Sequence, residues 1–471
     1  MHYYTFQPFN GPLESFPPAE LAGLKEVAEG WYVEYKSEAP SPNNLARHLT
    51  AFANQHGGWL LIGIAERPEA LTAGSFPGIP NYQIAETLTQ LRTAAAHHSN
   101  PPVTFEHRVI DGPIAALDLQ AGRSLIVVGI PESQDTPHVH SSGRIYRRQG
   151  DESDPKPETD RHVLNLLWAR RTKARADLEK FLSSGPELSP QEVGTPRVFV
   201  YLLPTPLPLP VKMPLGLDHF TAVMTGNEEY LFSTTFNNVF PTADGYVARQ
   251  TTAQDTSSEG MTFRWFNNGA ARLTLPIEVM SPQPSPQSYP IYAEFLTELR
   301  SRGFGARIGD FSACSVLLTA LVGKYLKIRE VLGLSAPFFA KAQLHDSWRM
   351  IPFLNMRAYV EHIKRWGIPL IQQSSTFTPP GLTPETLIPV HPEATLINGD
   401  PRSAGLMTAL PLAGAILWAA GIGALADAKN RLEFSGAMME AAIHLRDLTR
   451  ERVVTSSGTT IQAAETRPAR T

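Results

Sequence analysis

The run from Glu29 to Glu66 limits what this chain can fold into more than any other segment. Within it, WYVEYKS alternates as a strand does, and Asn43 and Asn44 are good N-caps for a helix that places Leu45, Leu49, Phe52 and Ala53 on one face. Gly57-Gly58 follows as a stop, because only glycine turns freely through positive φ at a helix end. The uncharged WLLIGIA then reads as a strand covered on both faces. Strand, helix and strand in this order demand a sheet with a helix packed on it.

The flanks extend the pattern. Residues 1–17 carry aromatic residues and prolines without periodicity and are expected to be an arm. PAELAGLKEVAEG sets Leu21, Leu24 and Val27 at helical spacing. YQIAETLTQLRTAAAHH repeats that spacing, and VTFEHRV, PIAALDL, SLIVVGI and GRIYRR read as strands. Thr159 is expected to cap a long helix through NLLWARRTKARADLEKFL, and the polar, Gly- and Pro-containing stretch after it places a border near Gly185.

At 471 residues the chain exceeds one ordinary core, so two or three units are expected. Five prolines between Pro204 and Pro214 suggest an edge strand or extended spacer for RVFVYLLPTPLPLPVKMP. Short strands follow (FTAVMTG, YLFSTTF, DGYVARQT, MTFRWF, ARLTLPIEV), and after Pro290 helical periodicity dominates. The expected class is α+β: an arm at 1–17, a mixed α/β domain at 18–184, a β-rich domain at 185–285, a helical domain at 286–452 and a disordered tail at 453–471.

Cys314 is the only cysteine, which excludes an intrachain disulfide and a multi-cysteine zinc site; in FSACSVLLTALV it reads as a buried thiol. MHYYTFQPFN lacks the basic start and apolar core of a signal peptide, so the cytoplasm is the expected compartment. Leu406 to Ala426 is uncharged over nearly a bilayer's thickness, yet it is rich in Ala and Gly and contains Pro411, and is expected to be a core helix with no membrane partner. Of 41 Lys and Arg and 45 Asp and Glu, residues 1–180 hold 17 and 21, leaving 24 of each for the rest. Any nucleic acid must therefore meet a local basic patch.

Several segments, in order, resemble the Schlafen AlbA_2 domain: Glu34-Tyr35-Lys36, then Ala51 to Asn54, Gly57-Gly58, Ile62-Gly63-Ile64, and a closing Tyr146, Arg148 and Gly150. The resemblance covers about residues 18–180. It implies a domain that binds or processes nucleic acid, and Schlafen-type nucleases place two glutamates at the spacing of Glu29 and Glu34, with a third acid after the apolar strand. Here that third position offers Ala65 and then Glu66. On this reading Glu29, Glu34 and Glu66 hold Mg²⁺ or Mn²⁺ that activates water against a phosphodiester. The bland alternative, a solvated helix end and an exposed strand face on which Glu34 pairs with Lys36 by alternation, stays open.

Lys36, Arg144, Arg147 and Arg148 are the candidate phosphate contacts, with Arg148 favoured over Arg147 because strand neighbours face opposite sides. Gly57 and Gly58 could let the backbone approach a phosphate, which is why such domains are labelled ATP-binding, but no Gly-Lys-Ser/Thr sequence marks a P-loop. The basic run Arg170, Arg171, Lys173 and Arg175 reads as a solvated helix face; His97 and His98 cannot share a helix face, and His138 and His140 alternate and could meet one ion but, with no Cys or third His nearby, read as exposed polar positions. Three functions are left: a metal-dependent nuclease acting on RNA or single-stranded DNA, a non-catalytic RNA- or DNA-binding regulator, and an ATP-binding signalling protein. In each the C-terminal region would sense a signal or form a homo-oligomer.

Overall fold

The computed structural model describes residues 4–148, 154–185, 193–204, 215–226, 232, 234–250, 260–372, 375–378, 387–390, 403–422 and 433–446, apart from positions 12, 68, 286–287, 306 and 335–336. The expected tail at 453–471, Gly150 and the prolines beyond Pro204 lie outside these residues.

The first unit is built on a five-stranded sheet. Strand β1 (Val33–Lys36) leads through helix α1 (Pro42–Asn54) into β2 (Gly58–Ile62), which pairs with β1 in parallel, as a strand returned by a helical crossover must. Two short strands, β3 (Ala65–Arg67) and β4 (Thr72–Ser75), form a hairpin beside it. After β5 (Ile79–Pro80), helix α2 (Ile84–His97) and β6 (Ser99–Asn100) come β7 (Glu106–Asp111) and β8 (Arg123–Ile130), giving the sheet order β1-β2-β8-β5 with β7 also on β8. The closing strands β9 (Val139–His140), β10 (Tyr146–Arg147) and β11 (Lys156–Pro157) precede α3 (Arg161–Ser183).

Alternation divides the sheet residues between two cores. Val33, Tyr35, Trp59, Leu61, Leu125 and Val127 face one, while Leu60, Ile62, Ile126, Val128 and Ile130 face α1 and α2. Glu34 and Lys36 therefore point to the α1 side. The N-terminal arm covers the opposite face: Tyr4, Phe9, Leu13 and Phe16 are buried, and the Trp59 ring lies 4.2 Å from Tyr4 and 4.7 Å from Phe9. Each such ring stabilises the fold by roughly 1.5–3 kcal/mol through lost contact with water. The arm is thus part of the core, its rings packed on one another and on Trp59 in one cluster without a regular period.

Other expectations change locally. PAELAGLKE is a 3-10 helix, and PIAALDL holds another at Ala115–Leu117 in place of a strand. Ser41 precedes α1 with Pro42 opening it, so Asn43 and Asn44 lie inside the first turn. Asp160, not Thr159, caps α3, its carboxylate accepting from the His162 N–H.

In the second unit β12 (Arg197–Pro204) is the centre of an eight-stranded sheet and not an edge or a spacer. After α4 (Leu217–Thr225), which replaces the strand expected at FTAVMTG, come β13 (Asn238–Thr242), β14 (Gly245–Arg249), β15 (Thr262–Phe266), β16 (Ala271–Pro276) and β17 (Val279–Met280). Helix α5 (Tyr292–Ser301), β18 (Ile308–Asp310), α6 (Phe311–Val331), β19 (Phe338–His345), β20 (Ile351–Phe353), α7 (Arg357–Trp366), β21 (Ser375–Thr378), β22 (Ile388–Val390) and α8 (Ala404–Ala419) complete it. Strand β12 pairs antiparallel with β16 on one side and β19 on the other. The border expected between 285 and 286 falls within this unit, since β19 shares the sheet of β12 and one hydrophobic core runs from Val198 to Ala442.

Of the described helices only α6 is long and apolar enough to cross a membrane, and 78% of its most apolar stretch is buried, as in a core helix. The expected core helix at Leu406 is α8, with Leu406, Ala409, Leu412, Ala413, Ile416 and Leu417 buried. A Cβ on Gly405 would stand 3.0 Å from the Gly323 Cα of α6, so the small residues serve close helix contact. Cys314 is buried on α6, its thiol pushed up to about 12 by burial.

Candidate nucleic-acid interface

Glu34 sits beneath α1, fully buried, with both carboxylate oxygens engaged: Oε1 accepts from Lys36 Nζ and Oε2 from Arg148 Nη1. The Arg148 side chain is also fully buried; Nη2 reaches the Val33 carbonyl at 3.4 Å, and the guanidinium lies 4.9 Å over the Phe52 ring. Arg148 thus ties the closing strands to β1 and α1 and presents no free face to phosphate. The Lys36 side chain is 30% exposed.

Glu29 precedes β1, and its Oε1 accepts from the Tyr35 N–H at 2.6 Å, whereas Oε2 is buried with no hydrogen-bond partner. Burial first, then the nearby Glu34, raises its pKa to about 8 against the opposing pull of the Tyr35 amide and Lys36. Glu29 is therefore mostly protonated at neutral pH. Glu66 is exposed on β3 and contributes the smallest of the influences on Glu29.

These three acids do not form a ligand set for Mg²⁺ or Mn²⁺. Both oxygens of Glu34 are taken by cations, Glu29 spends Oε1 on the Tyr35 amide, and Glu66 lies out in solvent. Among the described residues no three His, Cys, Asp or Glu side chains converge to hold a metal ion. His138 Nδ1 donates to the Pro101 carbonyl at 2.8 Å, and His140 lies between Ser142 and the Asn43 carbonyl.

The two glycines are required by packing. A Cβ on Gly57, where φ is +74°, would meet the Ile130 carbonyl at 2.6 Å; one on Gly58 would meet the Phe52 ring at 2.4 Å. The closeness they permit is to the protein's own backbone and side chains.

Of the remaining cations, Arg147 is held by Gln55 Oε1 at 2.6 Å and Glu158 at 2.5 Å. Arg144 is exposed on the turn between β9 and β10. Its carbonyl accepts from the His140 N–H, and His140 in turn bonds the Asn43 carbonyl at the start of α1. Lys36 ends β1 six residues before α1 opens at Pro42, and His140 ties the turn that carries Arg144 to the start of that helix, whose N-terminal end is its positive pole. Arg170 bonds the Asn54, Gln55 and Ser133 carbonyls and pairs with Glu132, while Arg171 pairs with Asp135. The middle of α3 is thereby clamped to the C-terminal end of α1.

One residue escaped sequence reasoning, and another was visible only as the end of a motif. His48 is buried facing Glu34 at 3.8 Å, too far for a hydrogen bond, and burial together with Lys36, Arg148 and Arg47 keeps its imidazole neutral. Its place between Leu45, Leu49 and Phe52 on the apolar face of α1 was the available signal. Asn54 is buried and bonds the His138 N–H at 2.7 Å and the carbonyls of His138 and Tyr146 at 3.0 and 3.1 Å.

Comparison with known proteins matches residues 29–157 to the Schlafen AlbA_2 family. Among solved structures, the N-terminal domain of a protein related to the DNA helicase RecG from Nitrosomonas europaea is 23% identical, with a TM-score of 0.22, over 30% of this chain and 93% of that one. A Corynebacterium diphtheriae protein is 16% identical, with a TM-score of 0.20, over 32% of this chain and 29% of that one. No curated protein matches.

Proposed function

We propose, on the premise that residues 29–157 carry a Schlafen AlbA_2 domain, that this unit binds RNA or DNA without cutting it. The observation that carries the reading is the engagement of both Glu34 oxygens by Lys36 and Arg148, which leaves no carboxylate centre for a metal and turns the motif into a clasp. Phosphate would be met at the rim by the exposed part of Lys36, by Arg144, and by the first turn of α1, whose amide N–H groups favour an anion. The C-terminal unit would then relay a signal or bring copies together.

The test is fluorescence anisotropy with labelled single-stranded RNA and DNA over a salt series. Each phosphate contact on a single strand contributes about 0.7 to the slope of log affinity against log salt, so Arg144→Ala should reduce it by about that amount. Binding to neither nucleic acid would defeat the proposal. Cleavage that EDTA abolishes and that Glu34→Gln lacks would replace it with the nuclease reading.

A further inference from the structure

At the other end of β1 the sequence Gly30-Trp31-Tyr32 turns into the sheet, and beside it Gln55-His56 links α1 to β2. These loops carry a row of four rings. Phe6 stacks on Tyr32 with centroids 5.7 Å apart and planes at 23°; Tyr32 lies 6.3 Å from His56, and His56 lies 6.2 Å from Trp31. Phe6, Tyr32 and His56 are half-buried, and Trp31 is 37% exposed.

The row is held from below and at its edge. Trp59 Nε1 donates to the Phe6 carbonyl at 2.9 Å, the Trp59 N–H to the Tyr32 carbonyl at 2.7 Å, and Gln55 Nε2 lies 3.3 Å from His56 Nε2. Gln55 also receives Arg147 Nε on its side chain and Arg170 Nη1 on its carbonyl. Both arginines are matched by acids, Glu158 and Glu132, so this edge offers planar guanidinium groups and amides with little net charge.

We infer that the row Phe6, Tyr32, His56 and Trp31 is a stacking platform for the bases of a single-stranded nucleic acid; this rests on the nucleic-acid reading above and names the form of ligand. Trp31 and Tyr82 are the only large hydrophobic residues exposed among the described residues before α3. The exposed Trp31 indole, flanked by half-buried rings, presents one flat apolar face. It is the right size for one base, whose π-face stacks on an aromatic ring whatever its sequence. The flanking polar groups suit base edges, and the paired charges mean that stacking, not phosphate attraction, dominates here.

The experiment compares the full chain with its Trp31→Ala and Trp31→Phe variants, and with Tyr82→Ala as an exposed ring outside the row. Ligands are a labelled single-stranded oligonucleotide and the same backbone without bases. Trp31→Ala should weaken binding of the base-carrying strand by about 5- to 150-fold, the range of one lost stacking contact, with the salt slope unchanged. Trp31→Phe should restore most of the affinity, and the strand without bases should bind all variants alike. If the wild type binds but Trp31→Ala matches it, or loses affinity equally for both strands, the platform is refuted and the wider reading stands. Failure of the wild type to bind any nucleic acid removes both. A Trp31→Ala protein whose oligomer dissociates would assign the row to a protein contact instead.

Discussion

Arg148→Met tests the clasp at its most sensitive point. Both side chains of the Arg148–Glu34 pair are fully buried, so truncating the cation leaves Glu34 Oε2 in the interior without a partner. Breaking a buried pair from one side costs roughly 3–5 kcal/mol. Lys36 still holds Oε1 from a partly exposed position, and methionine refills much of the space over Phe52, which places the expected loss near the lower bound, about 3 kcal/mol. For a unit of this size that is roughly 6–12 °C in unfolding midpoint.

Amide exchange of Val33–Lys36 and Gly58–Ile62, followed by mass spectrometry, reads the loss directly, because the strand that carries Glu34 is one member of this pair. Adding Glu34→Gln to Arg148→Met should recover part of the stability, since the stranded charge is gone. A loss under about 1 kcal/mol, or a double variant whose effects simply add, would show that the pair is not the fastening described.

Glu29 gives a pH signature. Its pKa is about 8 in the folded protein against an ordinary 4.5, so between those values the folded chain keeps a proton that the unfolded chain releases, and stability falls as pH rises through that window. Glu29→Gln should flatten this slope in urea denaturation between pH 5 and 8; an unchanged slope would count against the buried acid. Asn54→Ala strands the His138 N–H and two carbonyls, costing about 3 kcal/mol, and proteolysis between Thr136 and Arg148 should rise well before the sheet is lost. Gly57→Ala must place a Cβ 2.6 Å from the Ile130 carbonyl at φ +74°, so a loss of roughly 2 kcal/mol or more is expected by thermal unfolding. Millimolar Mn²⁺ should leave the midpoint unmoved, and a rise that Glu34→Gln abolishes would restore the metal reading.

Local order was legible where one period and one burial pattern coincide. Leu45, Leu49 and Phe52 on one face of α1, and the pairing of Glu34 with Lys36 on one side of β1, are read correctly from spacing, but the exposure expected for that strand face is not, since Glu34 is fully buried beneath α1. The resemblance to the Schlafen AlbA_2 domain, also read from the sequence, agrees with the family match over residues 29–157. Where tertiary contacts decide, spacing failed. Pro204 ends β12, but partners on both sides make Arg197–Pro204 a central strand, and one of those partners comes from more than 130 residues away. Phe220 and Met224 fit a strand or a helix equally, and the core under α4 selects the helix. At the candidate site the spacing of Glu29 and Glu34 was visible, but the distant Arg148 that occupies Glu34 could not be seen without the fold.

The residues by which this unit resembles the Schlafen AlbA_2 family are mostly those that close it. Glu34, Asn54, Gly57, Gly58 and Arg148 each join segments distant in the chain or clear space where backbones nearly touch. Such residues specify the scaffold, and a scaffold hosts many functions. What a particular chain binds must then be settled by side chains that the clasp leaves free. Here these are Arg144 and the outer part of Lys36 at one end of β1, and Trp31 at the other. Substitutions in the clasp should therefore destroy binding and folding together, whereas substitutions at Arg144 and Trp31 should change binding in a folded protein. That separation is what a recognition surface carried on a rigid motif predicts.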